Sequence, residues 1–198
     1  MSRFSASDYG NAYRARMSSR ADYIADIVAL REVLGYEPEG LGDRIGGDAF
    51  TRMAAACGSR GGRAPYDERM RATGRAFAIL TEAASSSAGR CQLSAGSASK
   101  STLLGDGGRG RHTDVTRLLQ VMHGAIGRGV AKPVIRSRLG RSPITVLELV
   151  TMVCVGGMTV SEVLRAKGWT DGGNNVGPLQ DVLAQALGRM SLAVRSGK

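Results

Sequence analysis

Five side chains near the end of the chain are of the types that hydrogen-bond the edges of DNA bases: Asn174, Asn175, Gln180, Gln185 and Arg189. Asn and Gln pair bidentately with adenine, and Arg with guanine. Asp181 stands among them and would meet phosphate repulsion unless it accepts from a cytosine amine. A second set has the chemistry of phosphate contacts. Arg128, Lys132, Arg136, Arg138 and Arg141 form a basic flank ahead of that stretch, and Arg165 and Lys167 lie within it. From Arg109 to Arg141 there are eight basic residues against one acid, Asp114. Cations of this kind neutralise phosphates and release counterions, which orients a protein on DNA without reading sequence.

The elements that must position these groups lie in Ser142–Lys198. The pattern predicts three helices. The first would run from Pro143 to Val155, capped by Ser142, with proline at the first helical position. Its interior is apolar nearly all round, which makes it a buried strut. Thr159 and Glu162, three apart, form a capping box that opens the second helix. Gly168 stops that helix, because glycine takes the left-handed conformation without a steric cost. Trp169 then folds back onto the core. Pro178 opens the third helix, where Leu179, Val182, Leu183, Ala186, Leu187 and Met190 repeat at helical spacing. A short helix, a glycine-marked turn and a longer amphipathic helix are the outline of a helix-turn-helix. The last helix of such a unit lies in the major groove. The turn expected here, Lys167–Gly177, is longer than the usual three or four residues.

Composition agrees with a polyanionic partner. The 198 residues carry 27 Lys and Arg against 17 Asp and Glu, a net charge of +10. That is more than solubility requires and points first to nucleic acid. Hydrophobic residues make up 42% and aromatics only 5%, so the core must be Ala, Leu, Val and Met. The three cysteines, Cys57, Cys91 and Cys154, show no metal-ligand spacing. The two histidines, His112 and His123, have no nucleophile or carboxylate pattern around them and read as structural or solvated. The GDGGRG segment lacks the ending of a phosphate loop and no strand precedes it. No enzyme, cofactor or metal is expected. The longest apolar run, Val146–Val155, is too short to span a bilayer, so no membrane partner and a cytoplasmic, reducing location are expected.

The rest of the chain reads as helices. One spans Arg20–Leu34, one Ala49–Cys57 and one Pro65–Ala84; another, Val115–Arg128, follows Thr113 or Asp114 as cap. Ser85–Arg111 has the Gly/Ser-rich composition of a linker. The expected fold is therefore all-α, with no strand. A helical N-terminal region, residues 1–84, would join through a flexible linker, 85–112, to a helix-turn-helix DNA-binding domain, 113–198.

The run from SPITVLELV through SEVLRAKGW to LQDVLAQALGRM resembles the C-terminal helix-turn-helix domain of small alphaproteobacterial and prophage proteins. Activators of gene transfer agents, the GafA type, belong with that group. The domain also looks loosely like the DNA-binding region four of sigma factors. PYDERMRATGRAF resembles the segment that opens these proteins, so the match covers Ala64–Leu192. The resemblance implies sequence-specific binding of double-stranded DNA, a phage or prophage origin, and contact with RNA polymerase. The turn DGGNNVG departs from a tight helix-turn-helix. Two other functions stay open: a phage DNA-packaging or assembly adaptor with a helix-turn-helix, and a helical protein-interaction module without nucleic acid. The sequence does not set the oligomeric state.

Overall fold

The structure, a computed structural model, describes residues 24, 25, 27–35, 49–58, 65–93, 107–134 and 140–196. Residues 27–34 form helix α1. Helices α2 (Ala49–Gly58), α3 (Glu68–Leu93) and α4 (Gly107–Ile126) follow. Strand β1 (Val130–Lys132) pairs antiparallel with β2 (Ile144–Thr145). Helices α5 (Val146–Cys154), α6 (Val160–Ala166) and α7 (Gly173–Ser196) complete the chain. The fold is mostly helical, as expected, with one small two-stranded sheet that was not.

Helix α7 is the hub. It packs against α3, α4, α5, α6 and β1. Its apolar stripe explains why: Leu179, Leu183, Ala186, Leu187 and Met190 are each no more than 1% exposed. One hydrophobic cluster contains Leu30 and Phe50 from the early helices, Phe77 from α3, Met122 from α4, and Leu149 and Leu164 from α5 and α6. The expected separation of an N-terminal region from a C-terminal domain is therefore not a separation of cores. Helix α3 lies in the same core as the three C-terminal helices. Ala72 and Ala76, fully buried, let it approach closely.

Five boundaries differ from the sequence reading by three residues or more, the first being that α3 starts at Glu68, not Pro65. Helix α3 continues to Leu93 and α4 begins at Gly107, so both ends of the expected linker are helical. Residues 94–106 lie outside the described residues. Helix α5 starts at Val146, not Pro143, because Ile144 and Thr145 are drawn into β2. Its N-cap is Thr145, which forms a capping box with Glu148. Helix α7 starts at Gly173, not Pro178. Pro178 sits inside it, where it cannot donate to the Asn174 carbonyl. This early start shortens the connection between α6 and α7 to residues 167–172.

Candidate nucleic-acid interface

Helix α6 is short, and both of its ends are pinned. Thr159 caps it: its hydroxyl accepts from the Glu162 N–H at 3.3 Å, and Glu162 accepts from the Thr159 N–H at 2.7 Å. These bonds hold the Glu162 carboxyl below its ordinary value, the Thr159 N–H being the largest cause and Arg52 adding to it. Arg52 reaches over from α2, pairs with Glu162 at 3.0 Å and donates to the Gly157 carbonyl.

At the other end Gly168 has φ +75°, as the sequence reading required. It is needed for a second reason. A Cβ at Gly168 would fall far inside the van der Waals contact distance of the Gly140 carbonyl oxygen. The segment just ahead of β2 is thus laid against the end of α6, and the Ser142 N–H donates to the Lys167 carbonyl at 3.1 Å.

Cations gather around this second turn. Lys132 Nζ and the Arg141 guanidinium carbon lie over the Trp169 ring, 5.1 and 4.9 Å from its centroid. The indole N–H donates to the Ser142 carbonyl at 2.8 Å. Lys132 also donates to Asn175 Oδ1 at 2.7 Å. The Asn175 amide donates in turn to Thr170, to its carbonyl at 2.8 Å and its hydroxyl at 3.1 Å. Arg165 pairs with Asp171 at 3.0 Å, and Lys167 with Glu148 at 2.8 Å. The Lys167 ammonium is the largest cause of a lowered Glu148 pKa, with the Thr145 N–H next.

No protein-family model matches the chain, and no curated protein or solved structure matches it either.

The residues expected to read bases divide by their surroundings. Asn174 and Gln185 are exposed, and Gln180 is half-buried. Asn174, Pro178, Asp181 and Gln185 recur at intervals of three and four, so one stripe of α7 faces outward with Asp181 on it. Asn175 is occupied by Lys132 and Thr170. Arg189 donates to the Ile126 carbonyl at 3.2 Å, at the end of α4. It also lies about 24 Å along the helix from Gly173, at 1.5 Å per residue. Among the expected phosphate contacts, Arg128 and Arg165 are exposed, while Lys132, Arg141 and Lys167 are half-buried around the turn. Arg136 and Arg138 lie outside the described residues.

Sequence alone does not assign Trp169 and Arg52 to this site. A lone tryptophan directly after a helix stop in a cation-rich chain was the available signal for the first. Nothing local marks Arg52, whose partners are far along the chain. Among the described residues no group of His, Cys, Asp or Glu could hold a metal ion, and no helix is long and apolar enough to cross a membrane.

Proposed function

We propose that this chain is a sequence-specific DNA-binding transcriptional regulator that places α7 in the major groove of double-stranded DNA. The observation that carries the reading is the convergence of Lys132, Arg141, Arg165 and Lys167 on the turn from which α7 starts. A helix-turn-helix meets the DNA backbone at that place. The α6–α7 connection is also closer to the usual length than the sequence alone suggested. A phage or prophage origin and a contact with RNA polymerase follow from the family resemblance and belong to the same proposal.

In this reading Asn174, Gln180 and Gln185 meet base edges, and Asp181 accepts from a cytosine amine. Asn175 holds Lys132 in place, and Arg189 serves the fold. Arg128, Arg141, Lys132 and Arg165 meet phosphates. The test is selection of bound duplexes from a random pool by the full chain, followed by binding measurements on the selected site. Enrichment of one short motif is expected. Asn174→Ala then costs about 1–3 kcal/mol on that motif and little on random DNA. Binding without enrichment would make the protein an adaptor that grips DNA. No binding at all would leave a helical interaction module.

A further inference from the structure

Trp169 is the one tryptophan of the chain. Its ring is fixed on its polar edge by the Ser142 carbonyl and carries both Lys132 and Arg141. Two cations held against one ring repel each other, and the π face offsets part of that repulsion. Neither has a carboxylate partner among the described residues, whereas Arg165 and Lys167 nearby each do. Lys132 is aimed further by Asn175 in the first turn of α7. The positive end of that 24-residue helix adds to the field. An oxyanion placed against both cations would relieve their repulsion, and no described group supplies one.

We propose that Lys132 and Arg141, carried on Trp169, hold one backbone phosphate of duplex DNA beside the start of α7. Trp169 and Asn175 are the positioning residues of this clamp. The inference rests on the DNA-binding reading above. It adds to it a specific phosphate site and a built-in reporter. When the cations turn to a phosphate, the field at the indole changes, and the emission of the single tryptophan changes with it.

The experiment titrates the full chain with a labelled random duplex at about 50 mM salt, where backbone contacts are strong. It follows label anisotropy and tryptophan emission together. Both are expected to saturate with one midpoint. Lys132→Gln with Arg141→Gln removes the emission change and flattens the log–log salt slope by about 0.9, the value for one phosphate. Trp169→Leu flattens the slope similarly, and Trp169→Phe, which keeps a π face, restores it. A tryptophan that only supports the fold would lower the melting temperature in both variants without moving the slope. If anisotropy rises while emission and slope stay unmoved by these changes, the clamp is wrong and DNA binding stands. If inorganic phosphate at equal ionic strength gives the saturating emission change and DNA does not, the site is one for a free anion and the clamp is wrong. If no duplex raises the anisotropy, the DNA-binding reading fails and the clamp fails with it.

Discussion

The two turns that flank α6 use the same parts to different ends. Each contains a glycine with positive φ, Gly157 at +64° and Gly168 at +75°. The first turn is fastened by groups that satisfy one another: Arg52 pairs with Glu162, and Glu162 completes the cap of Thr159. The second gathers four cations, Lys132, Arg141, Arg165 and Lys167, around two carboxylates, Glu148 and Asp171. Positive charge within the fold is therefore not spread evenly. An ion pair closed on itself serves the fold. A cation held over an indole, with no acid against it, is the group with capacity left for a partner.

Alanine at the two glycines should separate the turns most strongly. At Gly168 it meets both an unfavourable φ and the Gly140 carbonyl, and it should cost about 3–5 kcal/mol. At Gly157 nothing lies within 4 Å of the new methyl group, so only the backbone term applies, about 1–2 kcal/mol. Urea unfolding of both variants measures the difference. Equal losses would mean that Gly140 does not press against the end of α6.

Trp169→Ala comes next. The sequence reading placed the indole in the core, where its loss costs about 3–5 kcal/mol. The ring is half-buried at the rim, so about 2 kcal/mol is expected. A loss of 4 kcal/mol or more would put this turn in the core after all (the scale is that of full burial).

The fastened turn should respond more weakly. Thr159→Ala removes one cap and should cost about 1 kcal/mol. Its acid response has a definite sign. The Glu162 carboxyl titrates below its ordinary value of 4.5, so its contribution is present above 4.5 and is lost as pH falls through the lower folded value. Thermal melting from neutral pH down into that range should show this loss, and Glu162→Gln should reduce it. A melting curve indifferent to Glu162→Gln would mean that the carboxylate adds nothing to the cap.

The legible features were local ones. The Thr159–Glu162 box, the Gly168 stop and the apolar stripe of α7 are set by residues three and four apart, and the structure has all three. Features that need distant partners were not legible. Strands of three and two residues show no usable alternation, so nothing in the sequence marks β1 and β2. Their pairing then moved the start of α5. Pro178 reads as a first helical residue, and only the structure shows a further turn of helix ahead of it. The Ser-rich end of α3 reads as linker, because composition cannot register the packing of the helix that precedes it. Within the candidate site, residue types were readable and their occupancy was not. Asn175 and Arg189 suit base edges by type, yet each is occupied by a partner from another segment.

The most direct test of the central claim is the salt dependence of binding to a random duplex. The second turn and not the first should meet the backbone. For the wild-type chain a log–log slope of about −4 to −5 is expected, that of four to six phosphate contacts. Replacing Lys132, Arg141 and Arg165 by Gln should flatten it by about 2, while Arg52→Gln should leave it unchanged. A slope that Arg52→Gln flattens and the threefold change does not would contradict the account.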